Sequence, residues 1–176
     1  MNIWHDMSPK RINIDDFMVV IEIEKGSKCK YEMDKETGLL KLDRILYTST
    51  HYPSNYGFIP RTYADDFDPL DVLLLCSEKI RPMTMVRCYP IGVMTMMDSG
   101  RNDEKIIAVP FDDPTYNHYT DISQIPQHKF DEIRHFFKVY KELEGKETVV
   151  NDIHGAEDAK KIIKCAIDGY IENFCK

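Results

Sequence analysis

Hydrophobic periodicity changes once along this chain, and the change constrains the fold more than any other feature. Up to Pro114 the apolar residues occur in short runs or at alternate positions, the mark of strands; beyond it they recur at helical spacing. The β-branched run 18–24 reads as a strand, with Glu22 and Glu24 on the face opposite Ile21 and Ile23. After a turn at Gly26-Ser27, residues 30–33 alternate again, which predicts a hairpin between the two segments. Residues 39–46, 72–75, 85–96 and 106–110 supply further extended runs, and residues 52–60, with two prolines, a glycine and three aromatics, read as a structured loop. In residues 129–144, Phe130, Ile133, Phe137 and Tyr140 follow helical spacing and Gly145 suits the position just past the helix end. Residues 156–174 carry Ala159, Ile162, Ile163, Ala166, Tyr170 and Ile171 on one stripe, so a second helix closes the chain. The expectation is one α+β domain over residues 1–176, a small closed or partly closed antiparallel β-barrel flanked by two C-terminal helices.

The chemistry concentrates at Asp66-Phe67-Asp68-Pro69-Leu70-Asp71, which runs directly into the apolar strand Val72-Leu73-Leu74-Leu75. Pro69 fixes its own φ and biases Asp68 towards extended geometry, which projects Asp66 and Asp68 to the same side. Like charges held together repel unless a cation lies between them, and a hard divalent ion is the natural candidate. Asp and Pro are also ordinary turn residues, so an acidic turn before a strand is the competing account. Twelve positions counted from Asp66 end on Ser77 with no glycine at the sixth, so an EF-hand does not fit, and any metal needs ligands from elsewhere.

Similar alternatives attend the other polar groups. Asp98 and Asp103 bracket a glycine-centred turn before the apolar strand 106–110, either as converging ligands or as a solvated hairpin tip. Lys30 and Glu32 share a strand face, as a solvated pair or as site residues. Tyr52, Tyr56 and Tyr140 offer packing rings as well as phenolic donors, and Lys141 is favoured near a helix C-terminus by the helix dipole alone.

A formal net charge of −7 disfavours a nucleic-acid or anionic-membrane partner; an acidic protein acting on an anion needs metal ions to reverse its local field. Five widely spread cysteines without a CxxC spacing argue against a disulfide framework and a zinc site. No run approaches transmembrane length and the first residues lack signal-peptide character, so a cytoplasmic location is expected.

Taken together in their order and spacing, Glu22, the Lys30-Tyr31-Glu32 triplet, Asp43-Arg44, the Tyr52–Gly57 loop, the acidic stretch, Asp98 with Asp103 and Lys105, and Tyr140-Lys141 are specific. The chain resembles, over nearly its whole length, the soluble inorganic pyrophosphatases of the small bacterial type. The resemblance implies a β-barrel of the OB type, hydrolysis of diphosphate with Mg²⁺ as cofactor, and a homohexamer. It implies that Asp66, Asp71 and Asp103 hold one metal, with Asp71 shared by a second. Asp98 and Asp103 would hold a metal arriving with substrate, and Glu32 would contact another through water. Asp68 matches the general base. Lys30, Arg44, Tyr56, Tyr140 and Lys141 match phosphate-contacting groups with Lys105 nearby, Tyr140 and Lys141 also serving catalysis, and Glu22 and Tyr52 stand behind them. Phe67 departs from the family, which usually carries a small or polar residue there.

Counted over these candidates, Glu22, Glu32, Asp66, Asp68, Asp71, Asp98 and Asp103 face Lys30, Arg44, Lys105 and Lys141, which leaves the bare site near −3. About three to four Mg²⁺, the number the resemblance implies, would make it positive. Two other functions fit the same sequence: a Mg²⁺-dependent hydrolase of a nucleotide or other phosphoanhydride, and a catalytically silent OB-type binding module. The intact acid set, and the lack of a basic stripe with interleaved aromatics, weigh against the second.

Overall fold

The computed structural model describes residues 2–175. A short helix, α1 (Ile3–Asp6), precedes β1 (Phe17–Ile23), β2 (Cys29–Met33), β3 (Leu40–Ile45), β4 (Asn55–Phe58), β5 (Asp71–Leu74), β6 (Met85–Asp98), β7 (Arg101–Asn102) and β8 (Lys105–Pro110). Then come α2 (Gln127–Val139), β9 (Thr148–Gly155) and α3 (Ala156–Phe174). Five strands form a ring in the order β1-β4-β5-β8-β6, and the β1–β6 pairing closes it. β7 and β9 extend the sheet from β6. The ring is the expected barrel, but not a regular all-antiparallel one, because β5 and β8 run parallel.

Period 2 explains how this ring carries two cores. On β5, Val72 and Leu74 join one apolar cluster, which includes Ala159, Ile163 and Ala166 of α3, while Leu73 joins a second with Phe130, Ile133 and Phe137 of α2. On β8, Ile106 and Ala108 face the first cluster, and Ile107 and Val109 the second. Both faces of these strands are covered, which is why they read as unbroken apolar runs and not as alternation. β4 lies close against β1: a Cβ on Gly57 would stand 2.0 Å from the Val20 carbonyl oxygen, so only glycine fits.

Three expectations change. β1 and β2 do not form a hairpin; β2 pairs with β3 in a separate two-stranded sheet, and β1 takes β4 and β6 as partners. What joins β2 to β1 is the buried Glu22 carboxylate, which accepts the Met33 amide at 2.7 Å. The loop at 52–60 contains strand β4. The helix expected over 129–144 ends at Val139, and Gly145, at φ +70°, caps the following short 3₁₀ turn Glu142–Glu144. Strand β9 is additional to the expected elements; it pairs with β6, and its Val150 and Ile153 pack against the second cluster.

Candidate active site

Asp71 opens β5 and Lys105 opens β8, and the parallel register sets them side by side. Asp71 shares a face with Leu73, and Lys105 with Ile107, so both point towards the α2 side of the sheet. Tyr56, opposite Leu73 across the β4–β5 ladder, joins them. The Lys105 Nζ donates to Asp71 Oδ2 at 2.8 Å, to Asp103 Oδ1 at 2.9 Å and to the Tyr56 hydroxyl at 3.0 Å. The Tyr56 hydroxyl in turn donates to Asp71 Oδ2 at 2.5 Å. Lys105 is only 2% exposed, yet burial is outweighed by Asp103 and Asp71, which hold its ammonium well above the ordinary lysine range.

Around this buried knot opens a cleft of about 520 Å³. It takes Asp66 and Asp68 from the loop before β5, Asp98 and Asp103 from the two ends of the β6–β8 connection, and Glu22, Lys30 and Glu32 from β1 and β2. Tyr140 and Lys141 enter because α2 stops before them: Tyr140 keeps helical dihedrals as its last cap, and Lys141 turns away at φ −106°, ψ 1°. Lys141 then forms an ion pair with Asp98.

Glu32, Asp68, Asp71, Asp98 and Asp103 each have a cation. Glu32 pairs with Lys41 at 3.1 Å and Lys30 at 3.4 Å, and Asp68 pairs with Lys35. Burial pushes Asp98 up, but the hydrogen bond and charge of Lys141 win and hold it below the ordinary aspartate range. Asp66 and Glu22 have no ion pair among the described residues. Burial, then the neighbouring Asp71 charge, raises Asp66 to about 7 and Glu22 to about 8. Burial also raises Asp103, with Lys105 opposing it.

Of the expected site residues, two stand apart from the cleft lining. Tyr52 is buried behind Tyr56, ring centroids 5.5 Å apart. Arg44 faces Lys30 across the β2–β3 ladder but forms ion pairs with Asp43 at 2.5 Å and Glu144 at 2.9 Å. Its Nη2 is buried without a hydrogen-bond partner. Sequence reading missed Lys35 and Lys41, which line the cleft. The only signal for them was their place on the turn and strand after Glu32. Phe67 is one of few non-glycine residues with positive φ, +71°, a conformation that costs a side-chain-bearing residue about 1–2 kcal/mol.

The donor chemistry fits a hard divalent cation. Asp66, Asp71, Asp98 and Asp103 offer only oxygen, and Asp66, raised by burial and by the Asp71 charge, has no ion pair among the described residues. Among the described residues no three acidic, cysteine or histidine side chains are gathered tightly enough to hold an ion as they stand. Lys105 and Lys141 occupy carboxylate oxygens that an ion would compete for.

Comparison with known proteins places this geometry. Residues 19–171 match the family model described as inorganic pyrophosphatase. The chain is 53% identical to soluble inorganic pyrophosphatase 2 of Chlamydomonas reinhardtii over 97% of its length and 89% of that protein's. It is 52% identical to soluble inorganic pyrophosphatase 1 of Arabidopsis thaliana, over 96% and 80%. The Helicobacter pylori inorganic pyrophosphatase structure superposes with a TM-score of 0.89 at 41% identity, over 94% of this chain and 98% of that one. The Thermus thermophilus enzyme gives 0.88 at 35%, over 97% and 99%.

Proposed function

Because the chain belongs to the inorganic pyrophosphatase family, we propose that it hydrolyses diphosphate to two phosphates in the cleft at the start of β5 and β8, with Mg²⁺ as cofactor. The observation that carries the proposal is the convergence of Asp66, Asp68, Asp71, Asp98 and Asp103 with Lys30, Lys105, Tyr140 and Lys141 around one opening. Asp66, Asp71, Asp98 and Asp103 would hold the metal, with Glu32 at the rim. Bound Mg²⁺ would supply the positive charge that lets a diphosphate anion enter an acidic cleft, and would acidify the attacking water.

The chain's own residues do the rest. Asp68 is not needed as a ligand and is half exposed, so it accepts the proton of the water that attacks one phosphorus. The bond from that phosphorus to the bridging oxygen breaks, and negative charge grows on the departing phosphate. Lys141 and the Tyr140 hydroxyl face that charge, which they stabilise most at the point where it develops. Burial, opposed by Lys105, holds the Tyr140 phenol well above the ordinary tyrosine range, so it stays protonated and donates. Lys30, which lines the cleft, binds the retained phosphate, and Arg44 would join it on release from its ion pairs with Asp43 and Glu144. Lys105 holds Asp71 and Asp103 in position from beneath.

Phosphate release from diphosphate and from ATP, compared at equal Mg²⁺, tests the substrate. Diphosphate is expected to be strongly preferred. A preference for ATP would turn the assignment to a nucleotide hydrolase, and no release from either would mean a silent binding module.

A further inference from the structure

Two acid-bearing segments approach each other along one side of the cleft. The first is the loop 64–70 before β5, the second the turn from β6 into β7. Together they line a cavity of about 360 Å³ through Asp66 and Asp68 on one side and Asp98, Arg101 and Asp103 on the other. Each is tightly folded within itself. In the first, the Ala64 amide donates to the Asp68 carbonyl at 2.9 Å and the Phe67 amide to the Ala64 carbonyl at 3.0 Å. In the second, Ser99 and Gly100 both take positive φ, the geometry of a tight hairpin turn. No backbone hydrogen bond joins the two segments among the described residues.

Side chains bridge them instead. The Arg101 guanidinium lies over the Phe67 ring, 4.7 Å from its centroid, and the Asn102 side-chain amide donates to Asp65 Oδ2 at 3.4 Å. A glycine would meet the positive φ of position 67 without strain. Phe67 is 54% exposed, so burial does not account for a ring there. The ring meets the Tyr63 ring just before its own loop, centroids 6.1 Å apart, and across the gap it adds a face for Arg101.

We propose that Phe67 and Arg101 form a latch that holds the Asp66–Asp68 loop against the Asp98–Asp103 turn, so that Asp66, Asp98 and Asp103 are pre-arranged for divalent cations. The inference rests on the metal assignment above. Both are positioning residues, since neither ring nor guanidinium supplies a ligand.

Titration calorimetry of Mg²⁺ into the metal-free protein tests it, using wild type, Phe67→Gly, Arg101→Gln and the double variant. The latch predicts that each single change weakens Mg²⁺ binding about two- to fivefold. The double variant should lose no more than the worse single, because one contact is being removed twice. Simple charge predicts the opposite for Arg101→Gln, since removing a cation beside four carboxylates should tighten binding. Equal or tighter binding by Arg101→Gln, or additive losses in the double variant, would overturn the latch while leaving the metal assignment intact. No Mg²⁺ binding by wild type would overturn both. Thermal melting of the metal-free variants checks folding, and Phe67→Gly is expected to melt no lower than wild type because the positive φ then suits its residue.

Discussion

Lys105 carries the charge balance of the cleft. Its ammonium is shared by Asp71, Asp103 and the Tyr56 hydroxyl with almost no access to water. Removing one member of a buried ionic cluster leaves charges uncompensated, which typically costs about 3–5 kcal/mol. Lys105→Met should therefore lower the unfolding free energy of the metal-free protein by about that amount at neutral pH in urea titrations. The loss should shrink as pH falls, because Asp103, already raised by burial, is then easier to protonate. Asp68 poses a different question, since the role proposed for it is proton transfer. Asp68→Asn should reduce turnover by about 10²–10⁴-fold while Mg²⁺ binding measured by calorimetry stays near wild type. Full activity in that variant would remove Asp68 as the base.

At the scale of elements, the site depends on how closely strands approach. Gly57 lets β4 lie against β1, and β4 places Tyr56 beside Lys105. Gly57→Ala would drive a methyl into the Val20 backbone, and the variant is expected to lose about 3 kcal/mol or more in thermal or urea melts. Much of this layout was legible in the sequence, because burial on one or both faces writes itself as period: the runs at 72–75 and 106–110 lie where expected, as does the stripe of α3 except Ile171, which is exposed. Pairing was not legible. The partner of β2 is decided by the Gly38 turn and by long-range closure of the ring, neither of which changes the apolar pattern of β1. β9 escaped notice because its inward residues, Val150 and Ile153, are spaced by three and only half-buried, so they leave no alternating apolar pattern. The acids of the cleft could be named from their order, yet the cations Lys35 and Lys41 could not, because a lysine on a turn or an exposed strand is usually only solvated. Phe67 was visible as a departure; its positive φ and its contact with Arg101 were not.

Across the whole molecule, the raised carboxyls link stability to pH. Glu22 titrates at about 8 in the fold against 4.5 for the ordinary side chain, and Asp66 at about 7 against 3.8. Between those values the unfolded chain has released protons that the folded chain retains, so the stability these groups confer falls as pH rises through the window. The metal-free protein should thus melt at lower temperature at pH 8 than at about pH 5.5, and Glu22→Gln should flatten the slope. Mg²⁺ should reverse the trend, because ions that bind only the folded carboxylates stabilise more as pH rises. No helix among the described residues is long and apolar enough to cross a membrane. The homohexamer implied by resemblance is a proposal for light scattering, where a monomer would refute it. The central claim is narrower: an acidic cleft handles an anion because divalent cations change its sign. The direct test is phosphate release from diphosphate with Mg²⁺, then with excess EDTA, then with Mg²⁺ restored. The account predicts rapid release, loss and recovery; release that persists in excess EDTA would contradict it.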